Sequence, residues 1–492
     1  MVKIDTASID GLRGVAALHV AIGHMFYFTI GLDFGGGISM GLFFIISGVV
    51  MTLGYGQKQY SKDPSMCCDC CCGVFEKRFS CCRDPGQDDD LVDPNDDAPP
   101  PFSARRFYLK RAARLGPVYY LTNIVALPLL LLAEKVPFGF LLAQSFLSLF
   151  VVTSWVILPP LNNVFWTVST MAFFYACYPC LVPRLQKMKK VKSFASLSTT
   201  MYWTQLLIGI VVVFCFQSAV GYWVWRMFPP FRIPVFIMGC CLGHIRLICE
   251  TETIEAEDTI EQGNRIHPAI EQSETSDSQP AYPLPDGAIS TTAPQTAVKS
   301  RSHIGFWVLS ADVYAIIFTG CILFITAWNT FLSQEVGAIY RCLGEMITPV
   351  LFYDWILALM KPRVADEPYS FSERFLRSKA LQWIGRISFS LYACHLLIFG
   401  YVVWIIFGYE VGYDGMDRSH NEPPLWVIPV VLVMSVFFGW LVTEYIEIPT
   451  QKYIMKRQQD SNQHSVVLTE EKEGEKEEES LPLNTHIVTV TV

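Results

Sequence analysis

The chain has 492 residues, of which 52% are hydrophobic and 14% aromatic but only 17% charged, with a formal net charge of −8. Ordinary globular chains carry roughly a quarter charged residues, so this composition excludes a disordered, coiled-coil or disulfide-scaffold protein as the main class. The acidic balance also argues against a nucleic-acid-binding domain.

Stretches with few charges, about 18 to 25 residues long, have the length a helix needs to cross ~30 Å of hydrocarbon. They fall at 12–32, 37–55, 115–133, 165–183, 201–220, 233–249, 305–328, 337–360, 386–408 and 425–446. In lipid a helix satisfies its own backbone hydrogen bonds. The expected fold is therefore all-α, a polytopic membrane helical bundle of about ten transmembrane helices. The first apolar run begins with Arg13 and has no Ala-x-Ala-like ending, so it reads as a span rather than a signal peptide.

Lys and Arg set the expected orientation. The 55–114 connection holds Arg105, Arg106, Lys110, Arg111 and Arg114 among other bases, the turn after 183 holds Lys187, Lys189, Lys190 and Lys192, and 361–386 is again basic. The alternate connections carry only Lys135, then Arg226 and Arg232, then Arg418. Ten spans place every basic connection and both termini in the cytoplasm. Residues 138–157 are apolar enough to span, but a full crossing there would move the later basic loops to the outer face. A re-entrant or interior helix is expected instead.

Three acidic segments read as disordered cytosolic chain: 84–97 with seven acids and no base, 250–300 with ten acids against Arg265 and Lys299, and 470–479 with seven acids against Lys472 and Lys476. Like-charged segments of low hydrophobicity bury too little surface to offset their ordering entropy. The expected organisation is a membrane domain over 9–450, interrupted by a Cys-rich acidic insert at 56–104 and an acidic loop at 250–303, and followed by an acidic tail over 451–492.

The first helix carries the most information. Arg13 and His24 are eleven residues apart, so they share a helix face within about 20° and stand ~16 Å apart along the axis, with His19 on another side. Intramembrane ionisable groups are costly and usually functional. The alternative is that Arg13 snorkels as an anchor and His24 merely bonds a neighbouring helix. Arg111 and Arg114, one turn apart, either grip phosphates bidentately or simply flank a span. With His395 in mid-span and Glu444 and Glu447 closing the last one, these residues suggest a buried polar cavity open to the cytosol.

The segment Ile9-Asp10-Gly11-Leu12-Arg13-Gly14-Val15-Ala16-Ala17, followed by His24, resembles the opening helix of the acyltransferase-3 family of integral-membrane O-acyltransferases. Further similar stretches follow in order: Gly41 to Gly48 with Ser47, Arg111 to Tyr119, Phe231-Arg232 to Gly239, Ile384 to Tyr392 with His395, and Glu447-Ile448-Pro449. One departure stands out. Where relatives read Trp-Ser-Leu-x-x-Glu, this chain keeps Trp166 but has Met171 at the acidic position.

The resemblance implies transfer of an acyl group from cytosolic acyl-CoA to a hydroxyl of a carbohydrate, lipid or other small acceptor. Acyl-CoA is then a donor substrate and not a permanently bound cofactor. Arg13, Arg111 and Arg114 would hold the donor phosphates, and His24 would be the general base with Arg13 beside it. Asp10, Ser47, Trp166, His395 and Glu447 would support them. No metal is expected, because the histidines lack a clustered ligand spacing. The competing expectation is an inactive relative acting as a transporter or lipid-binding membrane protein, which Met171 favours.

Cys67, Cys68, Cys70, Cys71 and Cys72, with Cys81 and Cys82, crowd one cytosolic loop. Disulfides do not suit that compartment. Reversible S-palmitoylation, a soft-metal site and an incidental low-complexity loop stay open. Membrane lipids, acyl-CoA and a hydroxyl-bearing acceptor are the expected partners.

Overall fold

The computed structural model describes residues 5–56, 102–132, 137–216, 219–271, 309–331, 334–361, 368–408 and 423–458. Among them the chain is almost wholly helical, without an extended strand. The helices are α1 Ala7–Ile30, α2 Ile38–Tyr55, α3 Ala104–Leu132, α4 Phe138–Leu149, α5 Trp166–Gln186, α6 Val191–Phe216, α7 Ala219–Met227, α8 Pro229–Glu271, α9 Ala311–Phe331, α10 Gln334–Leu359, α11 Phe371–Leu376, α12 Lys379–Phe407 and α13 Val427–Val442. A π-helical turn, Thr443–Glu447, carries α13 on into a helix that ends at residue 458.

Among the described residues eight helices are long and apolar enough to cross a membrane: α2, α3, α5, α6, α8, α10, α12 and α13 with its extension. The chain is thus a multi-pass membrane bundle. Two of the ten expected spans differ from the rest. The region 305–328 yields only a shorter apolar stretch, Ala311–Ala327. The region 12–32 is α1, whose Asp10, Arg13, His19 and His24 lower its hydropathy; it is held inside the bundle, with Leu12, Ala17 and Ala21 fully buried.

Residues 138–157 contain the twelve-residue α4, about 18 Å long and so roughly half a membrane. It is not an interior helix: Phe138, Leu142 and Phe146 are exposed along its outer side. Its last turn lies beside the middle of α3, where the Tyr119 and Tyr120 hydroxyls donate to the Ser148 and Leu149 carbonyls at 2.9 and 3.0 Å. The chain then turns through 150–165 into α5.

Two boundaries correct the sequence expectation. Helix α8 continues to Glu271, so the acidic loop expected from 250 begins as helix. Its Glu, Ala, Gln and Ile residues are good or tolerable helix formers, and continuation of an existing helix needs no new nucleus. Similarly, the tail expected from 451 is helical to residue 458. The expected insert at 56–104 lies almost entirely outside the described residues, as do the remainders of the acidic loop and tail.

Close backbone approaches lock the bundle where the site is built. Helix α1 packs chiefly on α12: a Cβ on Gly385 would collide with the Asp10 carbonyl, and one on Gly14 would stand 2.9 Å from the Gly385 nitrogen. Helix α2 is pressed onto α8 in the same way, with Gly48 against the Phe236 carbonyl and Gly239 against that of Ile45. In lipid, where apolar surface gains little by leaving the solvent, such close packing is a main source of helix association.

Candidate active site

A cavity of about 830 Å³, including its open mouth, lies between α1, α2, α3, α5 and α12. Arg13, Arg111 and Arg114 line its polar end, Met40, Phe43, Phe44, Val50, Met51, Leu115 and Phe389 form most of the wall, and Thr167 and Tyr392 also line it. Ser47 is a wall residue too, with its hydroxyl 3.4 Å from that of Tyr175. So is Met171, whose sulfur accepts a weak contact from the same tyrosine at 3.8 Å. The position where an acid was awaited is therefore part of an apolar wall.

Gly14 and Gly385 explain how Arg13 is aimed. Because the two helices nearly touch, its Nη2 donates to the Gly385 carbonyl at 2.7 Å and its Nε to Ser388 Oγ at 3.1 Å. Asp10, one turn back, adds an ion pair at 3.4 Å. Arg111 Nη2 donates to the Tyr55 hydroxyl at 3.4 Å, while its buried Nε has no hydrogen-bond partner. Glu447 is buried behind this group, accepts from Ser390 Oγ at 2.9 Å and lies within electrostatic reach of Arg13 and Arg114. The π-helical turn ends on that glutamate. Such turns insert a residue into a helix and re-aim its side chains.

His24 and His395 do not line the cavity. They form a pair behind Tyr392, whose ring is 5.7 Å from that of His395. His24 Nδ1 and His395 Nε2 are 2.8 Å apart, and His395 Nδ1 is 2.7 Å from the Tyr392 carbonyl. A carbonyl only accepts, so the proton on His395 sits at Nδ1. Its Nε2 then offers a lone pair, and His24 must donate from Nδ1. In neutral His24 the remaining lone pair is on Nε2. His19 turns away to clamp the start of α2, with Nδ1 2.7 Å from Ser39 Oγ and Nε2 3.0 Å from the Phe34 carbonyl.

A second polar group, most of it absent from the expected site, lies past His24. Arg226 stacks 5.0 Å over the Trp166 ring and donates from Nη1 to the Tyr222 hydroxyl at 2.8 Å. Tyr222 donates to Glu345 Oε1 at 3.1 Å. Arg226 Nε and Arg232 Nη2 stand 3.8 and 3.6 Å from the same carboxylate. Trp166 thus supports Arg226 and not the cavity wall. A signal was present: Glu345 is an acid inside the expected span 337–360, and such residues are rarely idle.

Buried amides hold the layer between these groups. Asn162 donates from Nδ2 to the Ala393 carbonyl at 2.8 Å, and its backbone N–H donates to Asn123 Oδ1 at 2.9 Å. Tyr392 donates to the Val164 carbonyl at 2.7 Å. Among the described residues no cluster of three His, Cys, Asp or Glu side chains could hold a metal ion. The lipidation candidates Cys67, Cys68, Cys70, Cys71 and Cys72 lie outside the described residues.

Residues 6–250 match the family model described as an acyltransferase domain, which is that of the acyltransferase-3 family. The matched range contains α1, α2, α3, α5 and most of the cavity wall. No curated protein and no solved structure matches the chain.

Proposed function

The chain belongs to the acyltransferase-3 family through residues 6–250, and from that premise we propose that it moves an acyl group from acyl-CoA to a hydroxyl of a carbohydrate, lipid or other small acceptor. The observation that carries this reading is the cavity itself: three arginines at one end, and behind them an apolar space closed by Tyr392 in front of the His24–His395 pair.

The chemistry follows from that arrangement. Phosphates of the donor meet the guanidinium groups of Arg13, Arg111 and Arg114, whose planar forks suit bidentate contacts. The acyl chain and pantetheine arm lie along Met40, Phe43, Phe44, Val50, Met51 and Met171. His24, ~16 Å along α1 from Arg13, takes the proton of the acceptor hydroxyl on Nε2. The hydroxyl oxygen attacks the thioester carbonyl, the carbon–sulfur bond breaks, and the thiolate leaves with a proton returned from His24. As the imidazolium forms, its Nδ1–H bond to His395 strengthens, because charge-assisted hydrogen bonds are roughly twice as strong as neutral ones. The alternation of basic and base-poor connections along the sequence supports a cytosolic donor and cytosolic termini.

The test is transfer of a labelled acyl group from acyl-CoA to endogenous acceptors in membranes that contain H24A at the wild-type level. Loss of transfer supports the reading. A normal rate in H24A would remove His24 from the mechanism.

A further inference from the structure

The group past His24 has a charge surplus. Arg226 and Arg232 share one carboxylate, Glu345, and all three side chains are deeply buried at 14%, 0% and 2% exposure. Nearby, Arg341 and Asp33 neutralise each other at 3.4 Å. Three nitrogens of Arg232, Nε of Arg226 and Oε2 of Glu345 have no hydrogen-bond partner.

The carboxylate is also shared with something else. Glu345 Oε1 rests against Gly37, the residue capping α2, where any Cβ would collide with it and would approach Arg226 Nη2 to 3.2 Å. A helix N-terminus carries about half a positive charge. One anion therefore serves two guanidinium groups and a helix end. An uncompensated cation in an apolar bundle is costly, and its usual resolution is a paired anion.

We propose that Arg226, with Arg232 and Tyr222 behind it, binds an anionic group on the acceptor, a phosphate or carboxylate carried by the molecule whose hydroxyl is acylated. The placement suits that role. Arg226 lies within electrostatic reach of His24 and of the cavity-lining Tyr392. It keeps Nε free for an oxygen and is held flat by the Trp166, Tyr222 and Trp223 rings at 5.0, 5.4 and 5.8 Å. The base thus stands between two arginine groups, one for the donor phosphates and one for the acceptor. This inference rests on the transferase reading only for the word acceptor; the anion site itself does not.

The experiment uses the full chain in phosphatidylcholine nanodiscs, with inorganic phosphate as the probe and thermal stability as the readout. The R111Q/R114Q background removes two of the three arginines at the mouth and leaves Arg13, which is already engaged by the Gly385 carbonyl, Ser388 and Asp10. Phosphate is expected to raise Tm saturably in that background, and adding R226Q is expected to abolish the rise. Adding E345Q instead removes the competing carboxylate and tightens the apparent Kd at least about tenfold, a gain that misfolding cannot produce. Unchanged titrations in both variants overturn the proposal. Two competition arms separate the sources of the anion, soluble glycerol 3-phosphate and nanodiscs containing phosphatidylglycerol. Displacement of phosphate by either supports the site, and displacement by neither overturns it. The titrations need no acyl-CoA, so a failure of the transferase reading shows up separately, in the labelled acyl-transfer assay.

Discussion

Replacing His395 with leucine tests whether the second histidine positions the first. The substitution removes the lone pair that receives His24 Nδ1–H at 2.8 Å, and with it the link to the Tyr392 carbonyl. His24 is then free to place its proton on either nitrogen, and the imidazolium loses a charge-assisted partner. Hydrogen bonds to charged groups contribute about 1.5–3 kcal/mol, which converts to a fall in kcat of roughly 10- to 150-fold. The KM for acyl-CoA should stay within about twofold, because Arg13 is ~16 Å away along α1. H395Q restores an acceptor oxygen and should recover part of the loss. The assay is labelled acyl transfer in isolated membranes, with Tm of each purified variant as a control for folding. A kcat for H395L within twofold of wild type, in protein of unchanged Tm, would refute the positioning role. So would a rise in KM equal to the fall in kcat.

Two further outcomes follow from the packing. G385A inserts a methyl where the Asp10 carbonyl touches the α12 backbone; overpacking of this kind costs about 1–3 kcal/mol, so a lower Tm is expected together with reduced transfer as Arg13 loses its bond to the Gly385 carbonyl. N162A leaves the Ala393 carbonyl without its 2.8 Å donor, at about 1–3 kcal/mol, and thermal unfolding monitored by limited proteolysis should show a lower midpoint.

Much of this was legible in the sequence because it depends on spacing along single helices. The eleven-residue interval puts Arg13 and His24 on the side of α1 that meets α12, and the one-turn interval sets Arg111 and Arg114 at the cavity mouth. Span positions followed from hydropathy in the same way. What required the structure was pairing between distant segments. Nothing local says that His395 meets His24 across 371 residues, or that Glu345 collects Arg226 and Arg232 from the α7–α8 corner. Arg226 and Arg232 read as loop bases when loops are scanned for charge, although they are buried here. The helix to Glu271 was hidden for another reason: acid-rich composition suggested disorder, while the same residues propagate a helix once α8 has started it.

The half-length α4 has a consequence for the surrounding lipid. Eight described helices are long and apolar enough to cross the membrane, but on this flank α4 covers only about 18 of ~30 Å of hydrocarbon. The rest is the chain of 150–165, which holds only short 3-10 turns at Thr153–Val156 and Asn163–Phe165 and is tied from inside: the Ser154 N–H donates to Ser169 Oγ at 3.1 Å and that of Leu161 to Ser148 Oγ at 3.3 Å. Hydrophobic mismatch costs fractions of a kcal/mol per Å, so the bilayer thins most cheaply along this side. Lipid chain length therefore acts on the stretch that leads into Trp166, the ring beneath Arg226, and bilayer thickness becomes a variable that the acyl transfer proposed at His24 can feel.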